Sequence, residues 1–336
     1  MARIVFYDVN EIDQDQLVQP FSGTEHEIIT VTDALNIDTV DTIAEVISIF
    51  VTSPFPAEVI EKAVGLRHIA LRSTGFDHVD VEAARNRGIS VSNVPTYGTH
   101  TVAEYAFSLL LTLSRKTAAA VDAAHKGVTP RLELQGFDLF GKTFGVIGAG
   151  RIGRAAATIA RGFGMRVLAF DQYPDQQAAA EIGYTYVSLE QLLAESDAVS
   201  LHAPYTPENH HMINSERLAN MKRGSILINT ARGELVDNRA LIDALESGHL
   251  GGAAMDVIEG EHLINTTEEL LLIRSEQVDP SHVMHSLELS VLKKMPNVIV
   301  TKHNAFNTRE AIGRINHTTA ENIKAYLEGS PENLLP

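Results

Sequence analysis

The 336 residues carry 27 Lys and Arg against 43 Asp and Glu, a formal net charge of −16, which argues against binding to a phosphate backbone or an anionic membrane surface. Hydrophobic residues make up 44% and charged residues 21%, a balance that excludes extended disorder, and the length exceeds what one hydrophobic core usually serves, so two domains are expected. No cysteine is present, which excludes disulfides, thiolate nucleophiles and thiolate metal sites and suits a reducing, cytoplasmic setting.

Short apolar runs alternate with helically spaced stretches from the start. Residues 4–7, 46–51, 68–71 and 89–91 read as strands, and 56–64 and 81–87 as helices. Such alternation predicts parallel strands covered on both faces. The first run is too short and too soon followed by acids for a secretion signal. The greasiest later stretch, 106–113, falls far below the ~20 residues of a membrane span and predicts the buried face of a helix. Val94-Pro95-Thr96-Tyr97-Gly98 is a turn-rich junction. Beyond it a long helix is expected over 99–115, with Thr99 or Thr101 as its N-cap and Glu104 in its first turn. A second helical stretch, 117–125, ends at the Gly127 and Pro130 breaks.

After Gly141 a new series begins, with strand candidates at 143–147, 166–170, 198–201, 226–228, 252–255 and 298–301. Six strands with intervening helices predict a full doubly wound sheet. The tail, 308–327, has helical spacing and the means to pack back on the first domain. The expected architecture is α/β: two doubly wound parallel-sheet domains with a cleft between them. Residues 1–98 plus 305–336 form a discontinuous flavodoxin-like substrate domain, and 99–304 form a Rossmann domain.

The sharpest local motif is Gly148-Ala149-Gly150-Arg151-Ile152-Gly153, directly after the apolar strand 143–147 and before a helical run from Arg154 to Gly164. The motif is weak alone, but this context is what a dinucleotide requires. Gly148 permits a tight turn, Gly150 lets backbone approach a pyrophosphate, and Gly153 lets helix and strand pack closely. The helix N-terminus then offers free N–H groups and a positive dipole end. The second strand ends at Asp171, a carboxylate placed to accept from ribose hydroxyls and to repel a 2′-phosphate. Gln172-Tyr173 supplies no arginine to neutralise one. NAD is expected rather than NADP.

Hydride transfer to a carbonyl needs a proton donor and, for an acid substrate, a cation. Three residues follow strand ends in the second half. Arg232 can grip a carboxylate with two parallel hydrogen bonds. His303 is of a type that exchanges protons near neutrality, and Glu261 can bond its second ring nitrogen. Each has a plainer reading. Arg232 can cap a helix or pair with Glu234, Glu261 can be a solvated loop acid, and most of the 14 histidines must be surface or satisfied structural groups.

At this point the chain resembles the D-isomer-specific 2-hydroxyacid dehydrogenases over nearly its whole length. The resemblance rests on seven ordered segments: Leu71-Arg72-Ser73-Thr74-Gly75-Phe76-Asp77, Asn93-Val94-Pro95, Val102-Ala103-Glu104, the glycine loop, Leu201-His202-Ala203-Pro204, Ile228-Asn229-Thr230-Ala231-Arg232-Gly233, and His303. It implies that Arg232 binds the substrate carboxylate and polarises the keto group, that His303 is the acid/base, and that Glu261 supports it. It places Asp256 and Thr230 beside the nicotinamide, and makes the backbone of Thr74 and Gly75 a second carboxylate clamp. It extends the cofactor site to Val102, Arg151, Ile152 and Ala231, with His202, Ala203, Pro204, Asn209 and Ala305.

Within the family the chain looks most like the D-lactate dehydrogenase branch. Tyr97 matches a substrate-pocket tyrosine, Phe306 an aromatic beside the substrate, and Phe55 a further wall; ordinary core packing is the alternative for all three. The long segment between Glu261 and His303 also resembles that branch. Lys302 and Asn304 depart from the usual neighbours of the histidine and bear on fine substrate preference. The expectation is a cytoplasmic, NADH-dependent enzyme reducing pyruvate or a close 2-keto acid to the D-2-hydroxy acid, as a homodimer through the NAD domain. Its rivals are a hydroxypyruvate, glyoxylate or bulkier 2-keto acid reductase, and an NAD-sensing interaction protein on the same scaffold.

Overall fold

The computed structural model describes residues 1–128, 132–260 and 280–336. The chain divides into two compact units, one of residues 1–98 with 307–336 and one of residues 99–306. Ala305 stays with the second unit because its backbone N–H is bonded to the Asp256 carboxylate at 2.9 Å.

The first unit holds five parallel strands: β1 (Arg3–Phe6), β2 (Glu27–Thr30), β3 (Val46–Ile49), β4 (His68–Leu71) and β5 (Ser90–Ser92), in the order β2-β1-β3-β4-β5. This is the flavodoxin-like order. β3 and β4 are buried at every residue, which is why they stand out in sequence as unbroken apolar runs. Two elements escaped that reading. β2 is a four-residue edge strand with no fully buried residue. Helix α1 (Glu11–Val18) buries only Asp13 and Leu17 and relies on its Asn10 cap, which accepts from the N–H groups of Ile12 and Asp13. Helices α2 (Ala57–Lys62) and α3 (Val81–Asn86) follow β3 and β4. The long helix Arg309–Leu327 is capped by Thr308 and brings Ala320 and Ile323 into one cluster with Ile4, Phe6, Leu17, Phe21 and Val46.

The second unit opens with α4 (Thr99–Ser114) and α5 (Thr117–His125). α4 starts at Thr99, so Thr101 lies inside the helix and is buried rather than capping it, and Glu104 falls beyond the first turn. Seven parallel strands follow: β6 (Thr143–Ile147), β7 (Arg166–Phe170), β8 (Thr185–Tyr186), β9 (Ala198–Leu201), β10 (Ile226–Asn229), β11 (Gly252–Met255) and β12 (Val298–Val300). Their order is β12-β11-β10-β9-β6-β7-β8, the doubly wound dinucleotide-binding arrangement with one strand added at an edge. β8 has two residues, too few to register as a periodic pattern. One face of the sheet is covered by α4 and by α6 (Arg151–Gly162), where Ala103, Ala106 and Phe107 meet Phe144, Val146, Ala156 and Ala160. The other face buries Leu168, Leu192, Leu227, Leu241 and Met255 in a second cluster.

Candidate active site

In an open parallel sheet, ligands bind beyond the carboxyl ends of the strands, where the strand order reverses. Here that point lies between β6 and β9. Gly148 leaves β6 and His202 leaves β9, and they are close: a Cβ on Gly148 would lie 2.5 Å from the Ala203 nitrogen, and Gly148 has φ +92°. Only glycine fits that turn. The third glycine, Gly153, is equally constrained, because a Cβ there would fall 2.0 Å from the Gly148 carbonyl oxygen. Gly150 differs. It caps α6 with an extended backbone, and a Cβ built on it meets nothing within 4 Å. Helix α6 therefore begins at Arg151, earlier than the sequence pattern suggests, with Arg151 and Ile152 in its first turn.

Moving along the carboxyl edge in spatial order, β7 delivers Asp171, whose carboxylate accepts from Ala149 N (2.7 Å) and Tyr173 N (2.8 Å). It is thereby fixed against the glycine loop, at the place a ribose-binding acid must occupy. β9 delivers His202, whose Nε2 shares a hydrogen with Ser200 Oγ at 3.0 Å. Burial pushes this imidazole down to about 4, so it is neutral at physiological pH. Beyond Ala203 and Pro204, Asn209 ties the loop to itself, donating to Pro204 O and accepting from Thr206 N, both at 2.8 Å. Val102 is buried within α4.

β10 delivers Thr230, Ala231 and Arg232. Asn229, fully buried at the end of the strand, holds this loop from both sides: its Oδ1 accepts from Ala231 N (3.0 Å) and its Nδ2 donates to Arg232 O (2.7 Å). Arg232 Nη1 donates to Ala231 O at 2.8 Å. Among the described residues the buried Thr230 hydroxyl has no hydrogen-bond partner. A buried orphan hydroxyl is costly unless a ligand satisfies it. With the open space over Gly150, this fits a bound dinucleotide.

β11 delivers Asp256, 1% exposed. Its carboxylate accepts from the Thr301 hydroxyl (2.5 Å), Asn304 N (2.9 Å) and Ala305 N (2.9 Å), and its backbone carbonyl accepts from His303 N (2.8 Å). One buried side chain thus organises the whole loop after β12. That loop needs the help, since His303 has φ +45°, a conformation that non-glycine residues reach only with support. The His303 ring meets the edge of Phe306 with centroids 6.2 Å apart. Lys302 is exposed. Glu261 lies outside the described residues. Two residues before it, Glu259 bonds His211 at 2.6 Å.

Four predicted site residues belong to the first unit. Thr74 O accepts from Asn93 Nδ2 (2.8 Å) and Gly75 O accepts from Ser73 Oγ (2.6 Å). These bonds fix the turn that carries the two proposed N–H donors. Just before it, Arg72 is buried, donates to the Tyr7 and Asp8 carbonyls, and lies over the Phe50 ring. Burial holds its guanidinium down at about 10. Tyr97 is partly exposed, and its carbonyl accepts from Arg314 Nε at 2.8 Å. Phe55 corrects an expectation. It has no exposed surface and packs in the core with Ile47, Ile60 and Leu71, so it presents no face to a ligand. Sequence reasoning met Asn229 and Ser73 only as members of motifs, with no role assigned to either, and missed the loop-building use of Asp256.

Residues 107–305 match the family model described as D-isomer specific 2-hydroxyacid dehydrogenase, NAD binding domain. The chain is 40% identical to a D-lactate dehydrogenase of Escherichia coli (strain K12), over 85% of this chain and 84% of that protein. It is 39% identical to a glyoxylate reductase of Korarchaeum cryptofilum (strain OPF8), over 84% and 80%. Among solved structures, the D-lactate dehydrogenase from Aquifex aeolicus complexed with NAD and lactic acid superposes with a TM-score of 0.83 at 35% identity, over 97% of this chain and 96% of that one.

Proposed function

The chain belongs to the D-isomer specific 2-hydroxyacid dehydrogenases, NAD-dependent oxidoreductases, and from that premise we propose that it interconverts pyruvate and D-lactate. The balanced reaction is pyruvate + NADH + H⁺ ⇌ D-lactate + NAD⁺. When bound, the nicotinamide supplies the hydride to C2 or takes it back. Arg232 grips the substrate carboxylate in a two-pronged hydrogen bond, and the N–H groups of Thr74 and Gly75 are the second set of donors. His303 gives its proton to the carbonyl oxygen as the hydride arrives, or takes it from the hydroxyl in reverse. Glu261 steadies the imidazolium from its other nitrogen. Tyr97 and Phe306 supply apolar surface that suits a methyl group better than a charged side chain.

The observation that carries this reading is the loop architecture at the carboxyl edge. Arg232 and His303 leave β10 and β12, on either side of β11, and each loop is pinned by a buried polar residue, Asn229 or Asp256. The test is chiral product analysis after NADH-driven reduction of a panel of 2-keto acids. Pyruvate giving D-lactate at the highest kcat/KM is expected. A second reading, reduction of glyoxylate or hydroxypyruvate, draws support from the glyoxylate reductase of similar identity, and a preference for those acids in the panel would establish it. Near-normal turnover by His303→Ala would refute the role of that histidine. NADH binding with no turnover on any keto acid would point instead to an NAD-sensing protein.

The proposal extends to a cytoplasmic homodimer formed through the NAD domain. Helix α5 is built largely of alanine and buries no residue within the chain, while Val121, Phe140 and Phe163 of the same unit are exposed. Exposed apolar surface of this kind supports an association face. A monomeric mass by light scattering at micromolar concentration would reject it.

A further inference from the structure

The loops after β9 and β11 carry a cluster that hydride transfer does not use. His210 and His211 are consecutive, yet their rings stack with centroids 3.9 Å apart and planes 21° from parallel. Consecutive side chains on extended backbone point to opposite sides; here the left-handed conformation of His211, φ +48°, turns the second ring beside the first. Both Nε2 atoms then face one carboxylate. His211 Nε2 lies 2.6 Å from Glu259 Oε2, and His210 Nε2 lies 3.9 Å from Glu259 Oε1. His211 is within hydrogen-bond reach of the carboxylate. At 3.9 Å His210 is beyond it, so a hydrogen bond does not account for the second imidazole facing the same group.

We propose that His210, His211 and Glu259 form a binding site for a zinc-class divalent cation. Two imidazole nitrogens and a carboxylate oxygen are the donors that zinc, cobalt and nickel prefer, whereas magnesium and calcium select oxygen alone. The three ligand atoms lie within 4.8 Å of one another. Bonds of about 2.0–2.2 Å to a tetrahedral ion would place the donors roughly 3.3 Å apart. The three donors must therefore move from within 4.8 Å of one another to that spacing by small side-chain rotations, with His211 exchanging its hydrogen bond for a metal bond.

Side-chain exposures of 42%, 34% and 16% for His210, His211 and Glu259 leave an entry path and room for water as a fourth ligand. The backbone beneath the site is closely packed. Glu259 is held against Gly233, where a Cβ would come within 2.2 Å of the Glu259 nitrogen, and His211 N donates to Glu234 O at 2.8 Å. A bound ion would fasten the β9 loop, which contains Asn209, to the β11 loop.

The experiment is a calorimetric titration of the chelator-treated full chain with ZnCl2, CoCl2 and MgCl2. One zinc per chain at micromolar affinity or tighter is expected, with cobalt giving visible d–d absorption and magnesium giving no binding. His210→Ala and Glu259→Gln, verified as folded by their metal-free melting curves, should each weaken zinc about 100-fold and abolish the cobalt bands. Zinc binding to both variants as tightly as to the parent would place the ion elsewhere, and only millimolar binding by the parent would leave the cluster a hydrogen-bonded pair; either result overturns the proposal. Neither readout depends on which 2-hydroxy acid the enzyme uses.

Discussion

Two glycines three residues apart, one capping α6 and one in its first turn, should respond in opposite ways to the same substitution. In Gly153→Ala the new methyl falls 2.0 Å from the Gly148 carbonyl oxygen and 3.0 Å from a Val146 methyl. Both the helix start and the strand end must shift. Overpacking of this kind costs about 1–3 kcal/mol, which in a domain of this size lowers Tm by roughly 2–12 °C. In Gly150→Ala the methyl enters open space at an allowed φ of −72°. A poorer helix cap costs about 0.5–1 kcal/mol, offset by about 0.4–1 kcal/mol from a less flexible unfolded chain, so the melting curve should barely move. In the proposed cofactor site, that open space is where the pyrophosphate approaches. A clash of about 2 kcal/mol would weaken NADH roughly 30-fold. Scanning calorimetry without cofactor and NADH fluorescence titration separate the two effects. If Gly150→Ala melts as low as Gly153→Ala, or binds NADH like the parent, the division of labour within the loop is wrong.

Asp256→Asn keeps the size but sets an amide N–H against a backbone donor of the His303 loop. A loss of about 2–4 kcal/mol in that loop should reduce kcat with pyruvate by tenfold or more while NADH affinity changes little; the reverse pattern, from steady-state rates and NADH titration, would show that Asp256 serves the cofactor instead. Arg232→Lys keeps the charge but loses the fork, and about 2 kcal/mol of lost grip on the carboxylate predicts a roughly 30-fold fall in kcat/KM for the keto acid, measured by NADH oxidation. His68, buried between Ser90 and Ser92 with its pKa held down to about 4 by burial, stays neutral when folded but takes a proton near pH 6.5 when unfolded. The unfolded chain therefore binds more protons below pH 6.5, and stability falls as pH drops from 6.5 toward 4 by up to ~1.4 kcal/mol per unit from this group. His68→Asn should flatten that part of a Tm-against-pH curve, and an unchanged slope would refute the assignment.

The core of each sheet was legible because parallel strands buried on both faces leave unbroken apolar runs, as in β3, β4, β6 and β9. The glycine loop was legible because three glycines fall within six residues between a strand and a helix, two of them forced by close backbone contacts. What escaped lacks a local pattern. β2 lies half-exposed at an edge and β8 is two residues long. The α4 cap was misplaced because threonines at 99 and 101 offer the same side chain, and only packing selects where the helix starts. Asp256 binds backbone groups 48 and 49 residues further along the chain, a separation that no periodicity records. Phe55 read as a pocket wall because an aromatic in a loop looks the same in sequence whether it faces a ligand or, as here, the core.

The return of the chain to the first unit at Asn307 also dictates an order of assembly. During synthesis, residues 99–306 emerge with every strand of their own sheet and can close their core at once. The first unit cannot. Ile4, Phe6, Leu17, Phe21 and Val46 wait for Ala320 and Ile323, which the ribosome supplies some three hundred residues after β1. Until then a greasy patch of a half-built domain faces solvent, at risk of adhering to other chains. The protein thus cannot finish its first domain until its second is complete.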